Sequence, residues 1–261
     1  MRAFVAAYRI GFAHVFAYRA EAAIQLFSAL IVAALNLSLW TVATRGRSEI
    51  GGVPSTEMLA YVVAAWTGVA VVATRVNEDL GRRIRDGQVA ADLLRPGSLQ
   101  AFLYARDLGR ASAAVFLQAI PLFIACALFV PVRWPERPST WAIWVLSVGL
   151  AHAVNFGLSF LVGMAAMSMG NVTGLSHLKG TLVSVFSGAL IPLDLYGPAL
   201  RRLLAWLPFP MLAHVPASLF LERELHVLPL LAGQAAWALS LWLAGALVWR
   251  RAVAVITVDG G

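Results

Sequence analysis

Residues 138–178, PSTWAIWVLSVGLAHAVNFGLSFLVGMAAMSMGNVTGLSHL, run for 41 positions without an Asp, Glu, Lys or Arg. At ~1.5 Å per residue, one continuous helix of that length would be about twice as long as the ~30 Å hydrocarbon layer is thick, so the stretch folds back as two passes. The natural break is Gly170-Asn171-Val172-Thr173-Gly174, a turn-like composition of the kind that separates helices. Four further charge-free runs, of 23, 17, 22 and 25 residues, occupy 22–44, 58–74, 111–132 and 225–249. Together these predict an all-α polytopic membrane protein with six spans, at 22–44, 57–75, 108–132, 139–168, 172–191 and 228–250. A charge-free stretch at 203–221 contains Pro208, Pro210 and Pro216. A straight lipid-exposed helix there would lose several backbone bonds, so it reads as re-entrant or interfacial.

Composition points the same way. Of 261 residues, 60% are hydrophobic and only 13% charged, against the ~25% charged residues of a soluble domain, and the mean hydropathy is +0.78. A chain of 28.0 kDa supplies six spans with short loops but no soluble enzyme domain beside them, so it is read as one transmembrane unit over 1–261. The net charge of +7 comes from 20 basic and 13 acidic residues, and Lys179 is the only basic residue that is not Arg. These charges lie between apolar runs, where they orient a membrane protein; a nucleic-acid partner is not expected. The single cysteine, Cys126, excludes an internal disulfide and any multi-cysteine metal site. Arg2, Arg9, His14 and Arg19 interrupt the first apolar stretch, so the first span, rather than a cleavable leader, is expected to target the chain.

Six spans put both termini on one side. That side receives 13 of the 20 basic residues, among them Arg75, Arg82, Arg83, Arg85, Arg95, Arg106 and Arg110. The positive-inside rule makes it cytoplasmic.

Three segments outside the spans carry most of the information. Residues 1–21 interleave Phe4, Tyr8, Phe12, Phe16 and Tyr18 with Arg2, Arg9 and Arg19, a mixture suited to the headgroup layer. They read as an interfacial helix, with a plain extension of the first span as the alternative. The inner stretch 76–107 alternates in charge sign and is punctuated by Gly81, Gly87 and Pro96-Gly97. It is either a docking surface, with a short helix near 89–94, or a solvated loop that only fixes topology. The outer stretch 192–227 is rich in proline and too apolar to lie free in water. It reads as a helical hairpin dipping into the outer leaflet, against a plain external loop.

At these segments the sequence resembles the permease subunits of ABC-2 type ATP-binding-cassette transporters, in particular a branch of roughly 260-residue, six-span chains often encoded as pairs. The resemblance is carried by Ala17-Tyr18-Arg19 before the first span and by Ile84-x-x-Gly87-x-x-x-x-Asp92-Leu93-Leu94-Arg95-Pro96 in the inner loop. Ser187-Gly188-x-x-Ile191-Pro192, followed by Leu207-Pro208-Phe209, completes it. It implies a bacterial inner-membrane permease, with cytoplasmic termini, that pairs with a second permease, identical or paralogous, and binds two separate ATPase subunits. ATP and Mg would be held by those subunits, and no cofactor by this chain. The loop after the second span would be the coupling helix, with Arg82, Arg83, Arg85, Asp86, Gly87, Asp92, Arg95 and Pro96 as candidate ATPase contacts. The segment between the last two spans would close the outer end of the pathway, through Pro192, Asp194, Pro208, Phe209 and Pro210. Asn36, Thr181 and Ser184 would face the pathway near the subunit interface.

The residues themselves supply no catalytic site. The chain has no G-x-x-x-x-G-K-[ST], and its only lysine, Lys179, is followed by Gly180 in a sequence that cannot form a P-loop. The five histidines lack metal-ligand spacing, and Ser176-His177 has no acid to orient it. Polar residues within the spans, Gln25, Asn36, Gln118, His152, Asn155, Asn171 and Gln234, more often bond helix to helix than touch a substrate. No acidic residue is expected at a span centre, which argues against a dedicated cation pathway. The expected function is therefore an exporter subunit for an amphipathic or lipid-like compound, an antibiotic being one candidate. A membrane scaffold that recruits a soluble partner through the Arg-rich loop, and an ATP-independent channel or scramblase, are the rival readings.

Overall fold

In the computed structural model, which describes residues 2–50, 53–89, 98–129, 134–222 and 226–259, the long apolar runs are helices. Helices α1 (Arg2–Ala17) and α2 (Arg19–Thr44) are followed by a two-residue hairpin of β1 (Glu49–Ile50) and β2 (Val53–Pro54). Next come α3 (Ser55–Val72) and α4 (Val76–Arg85), then α5 (Leu99–Ala114), which runs through a widened π turn at Val115–Ala119 into α6 (Ile120–Phe129). The widening has a local cause: Pro121 has no N–H to give and its ring crowds the carbonyl four residues back, so the turn before it opens. Helix α7 (Pro138–Met164), the short α8 (Ala166–Met169) and α9 (Thr173–Phe186) complete the charge-free stretch. Two short helices, α10 (Pro198–Leu204) and α11 (His214–Phe220), precede the long α12 (Val227–Asp259).

Among the described residues, five helical stretches are long and apolar enough to cross a bilayer: Ala20–Thr44, Glu57–Arg85, Leu99–Phe129, Pro138–Met169 and Val227–Ala254. The sixth expected pass, 172–191, falls on α9, which is not one of these five: its 14 residues rise only about 21 Å. It stops early because the chain bends at Ser187-Gly188, where Gly188 takes a φ of +89°. The break at Gly170 is equally local: that residue has a φ of +68°, and Asn171 Oδ1 accepts from the Thr173 amide at 2.8 Å to start α9. The stretch expected as an inner loop, 76–107, is helical on both sides, leaving only 86–98 between α4 and α5.

The bundle has two chemically different ends. At one, Val76, Leu80, Leu99, Leu103, Phe156, Phe160 and Met164 form a buried cluster, with Trp242, Trp249 and Ala252 of α12 against it. The C-terminal part of α12 therefore lies beside the starts of α4 and α5, and α1 also packs on α5 there. At the other end, Trp134, Trp141 and Trp144 meet Phe220 edge to face, with centroids 6.4, 5.3 and 5.6 Å from its ring. Met58, Tyr61 and Val62 of α3 and Ala217 of α11 are buried in the same cluster. Such ring pairs favour one packing geometry beyond the area they bury.

Glycines set the closest helix approach. Gly11 of α1 lies against the Arg106 carbonyl and Gly109 of α5 against the Tyr8 carbonyl oxygen, so each helix uses its glycine to admit the other's backbone.

Candidate functional site

The charged end is organised by Asp79, in the first turn of α4. Its Oδ1 accepts from Arg82 at 3.0 Å, one turn on, and its Oδ2 accepts from Arg106 at 2.6 Å and Arg110 at 2.8 Å, both on α5. Arg75, just before α4, pairs with Glu21 at the start of α2. Ion pairs therefore tie α2, α4 and α5 to one another, while the glycine contact adds α1. The placement follows from the sequence pattern of α4, which has Glu78 and Asp79 in its first turn and Arg82, Arg83 and Arg85 in its last, each complementing the helix dipole.

Helix α4 ends in a defined stop. The Gln88 amide bonds to the Arg83 carbonyl and the Gly87 amide to the Ile84 carbonyl, at 2.9 and 3.1 Å, with Gly87 at a φ of +69°. This double closure is the Schellman arrangement, which strongly favours glycine at the position Gly87 holds. Of the expected coupling residues, Arg82 faces Asp79, Arg83 is half-buried, and Arg85, Asp86 and Gly87 are exposed on this turn. Asp92, Arg95 and Pro96 lie outside the described residues, as does most of the short helix expected near 89–94. On the far side, Ser98 caps α5 through its hydroxyl, accepting from the Ala101 amide at 3.4 Å.

Between α1, α2, α3 and α5 lies a cavity of ≈ 590 Å³, of a size that suits a small organic molecule. His14, Tyr18, Gln25, Thr74, Asp107 and Gln118 contribute polar groups to its wall, while Ala70, Ala73, Ala111 and Ala114 keep part of it apolar. Partial burial, followed by the Arg110 guanidinium, lowers the pKa of the His14 imidazole and favours its neutral form.

Asp107 corrects one expectation. The stretch 76–107, expected as an inner loop, contains it. Helix α5 begins at Leu99, and Asp107 is buried within it, its Oδ2 3.5 Å from Nε2 of His152 on α7. Elsewhere between helices, Lys179 Nζ donates to Ser159 Oγ at 2.7 Å and Asn77 Nδ2 to Ser176 Oγ at 2.7 Å. Three other polar residues expected within the spans bond across to neighbouring elements. Gln118 donates to Gln25 at 2.8 Å and Asn155 to the Val72 carbonyl at 2.8 Å, while Gln234 donates to the Met211 carbonyl at 2.8 Å.

The three expected pathway residues are not brought together by hydrogen bonds. Asn36 is buried and donates to the Leu190 carbonyl at 3.3 Å, Thr181 spends its hydroxyl on the His177 carbonyl at 3.1 Å, and Ser184 is exposed on α9.

At the aromatic end the Ser187-Gly188 bend is pinned from two sides. Tyr61 donates to the Gly188 carbonyl at 2.9 Å and sits 3.1 Å from His214 Nδ1, while the His214 amide donates to the Ser187 carbonyl at 2.8 Å. Pro192, Pro208 and Pro210 are buried, Asp194 is half-buried, and Phe209 tilts against Phe186 with centroids 6.3 Å apart. A Cβ on Gly188 would meet Leu193 Cδ1 at 2.6 Å and Tyr61 Oη at 2.7 Å. Gly188→Ala is therefore expected to destabilise the protein by about 2 kcal/mol, from left-handed strain plus overpacking. Thermal unfolding in detergent checks this: an unchanged midpoint would show the bend to be slack.

The long apolar helices, the charged end and the turn at Gly87 define a multi-pass membrane protein with an ordered platform at one face. The family model described as ABC-2 family transporter protein matches residues 30–260, and the chain belongs to that family. No curated protein and no solved structure matches it. Family membership makes it a transport subunit that associates with ABC ATPase subunits.

Proposed function

We propose that the chain is the permease subunit of an ABC exporter, pairing with a second permease, identical or paralogous, in a bacterial inner membrane with its termini in the cytoplasm. Two separate ATPase subunits dock on residues 81–96, and the pair of permeases moves an amphipathic or lipid-like compound outward. The observation that carries this reading is the Schellman stop at Gly87, held on a helix that Asp79 fastens to α5. A rigid helix ending in a fixed turn transmits a push; a tethered loop does not. The cavity lined by both Tyr18 and Ala111 suits a cargo with polar and apolar parts, and Pro192 to Pro210 form the outer closure. Asn36, Thr181 and Ser184 are assigned to the pathway between the paired chains.

The test is to purify the tagged chain from its host in mild detergent, identify what accompanies it and measure ATP hydrolysis. A co-purifying P-loop ATPase is expected, with cargo-stimulated turnover falling at least about tenfold in Gly87→Pro and in Arg95→Ala while assembly persists. A soluble partner without a nucleotide site would overturn the exporter in favour of a scaffold. Transport by the permease alone in liposomes would make it a channel or scramblase.

A further inference from the structure

Among the described residues, the Asp79 cluster holds more positive than negative charge. Arg106 and Arg110 converge on the same oxygen, Oδ2 of Asp79, with their side chains only 14% and 22% exposed, and Arg82 takes the other oxygen. One carboxylate therefore faces three guanidiniums, two of them largely withdrawn from water. Among the described residues, Glu21 pairs with Arg75, Asp107 approaches His152 Nε2 at 3.5 Å, and Glu78 is exposed. Charge withdrawn from water in such excess is costly unless an anion joins it.

Space for that anion lies beside the cluster. A cavity of ≈ 300 Å³ between α1, α4 and α5 is lined by Arg82, Arg83, Arg106 and Arg110, with Asp79 as the only carboxylate among its described residues. His14 and Ile10 of α1 form its outer wall. Ile10 is exposed, and α1 carries further exposed apolar side chains at Phe4, Val5 and Phe16, so the helix next to the arginines offers apolar surface to acyl chains. A phosphate with two hydrocarbon tails matches both surfaces: guanidiniums hold the oxygens bidentately, and the tails run along α1.

We propose that this cavity binds the phosphate of an anionic phospholipid from the leaflet at the charged end. The bound lipid neutralises the arginine cluster and bridges α1, α4 and α5 at the root of the coupling segment. The fastening of α4, and with it the response of the turn at Gly87, then depends on the anionic-lipid content of the membrane.

The full-length chain in nanodiscs tests this. Discs of phosphatidylcholine alone are compared with discs doped with phosphatidylglycerol, reading the thermal midpoint and the lipids retained in native mass spectra. Wild type is expected to unfold at a higher temperature in doped discs and to retain phosphatidylglycerol selectively. Arg82→Gln/Arg83→Gln keeps Arg106 and Arg110 on Asp79, and should lower that selectivity by about fivefold per guanidinium removed. Because the readout is a ratio between two lipids in the same variant, a general loss of stability does not imitate it. No phosphatidylglycerol preference in wild type, or an undiminished preference in the double variant, overturns the proposal. If inorganic phosphate reproduces the shift in phosphatidylcholine discs, the site belongs to a soluble anion and the lipid assignment fails.

Discussion

Asp79→Ala is expected to lower the thermal midpoint of the detergent-purified protein more than loss of any exposed charge, at a cost of about 3 kcal/mol. Removing one member of a largely buried ionic cluster leaves the others without compensation, and here three guanidiniums would be left facing one another. The isosteric Asp79→Asn should fall between the two, because the amide oxygen still accepts a hydrogen bond but supplies no charge. Arg106→Gln should partly rescue Asp79→Ala by removing one of the repelling charges, a coupling that a double-mutant cycle reads directly. Midpoints for both Asp79 variants within about 0.5 kcal/mol of wild type would show that the cluster is solvated and contributes no more than a surface pair.

Gly109→Val is expected to detach α1. Gly109 and Gly11 face opposite backbones across the α1–α5 contact, and a Cβ on Gly109 would stand 2.8 Å from the Phe12 amide nitrogen as well as inside contact distance of the Tyr8 carbonyl. Backbone atoms cannot yield as a flexible side chain would, so the helices must separate. The cost is about 3 kcal/mol or the whole docking energy of α1, whichever is smaller. Limited proteolysis provides the readout: Arg9, exposed on α1 but held in a docked helix, should become a rapid trypsin site in Gly109→Val and remain slow in wild type. The pair Gly11→Val/Gly109→Val should be little worse than either alone, since a helix already lifted off has no second clash to suffer. A wild-type cleavage pattern in Gly109→Val would mean that α1 does not dock as described.

The long apolar helices were legible because their signal is local. Forty-one residues without charge announce more than one helix, and the break at Gly170-Asn171 shows in turn residues that the structure uses for a left-handed bend and an Asn171 side-chain bond to the Thr173 amide. The charged end was legible only as charge. Arg106 and Arg110 counted toward orientation, but their partner Asp79 lies 27 and 31 residues away, and no periodicity links such positions. Asp107 was misplaced for a related reason. The stretch from Leu99 to Arg110 mixes Arg and Asp with apolar residues, which reads as loop until Leu99, Leu103 and Ala111 are seen to share a buried face. Ser98, an ordinary N-cap residue after Pro96-Gly97, was the available sign that the helix starts early. The bend at Gly188 was visible as a motif, but the Tyr61 hydroxyl that secures it comes from a residue 127 positions earlier.

The contrast between the two ends of the bundle carries a consequence for how the molecule answers its surroundings. The Asp79 end is held by charge, and ionic strength weakens it to the extent that ions reach Arg82 and the partly exposed Arg110. The Phe220 end is held by edge-on rings, whose contacts offer salt no net charge to screen and loosen with temperature instead. Salt and heat thus address opposite faces of one protein. Titrating each separately would loosen the bundle first from one side of the membrane and then from the other.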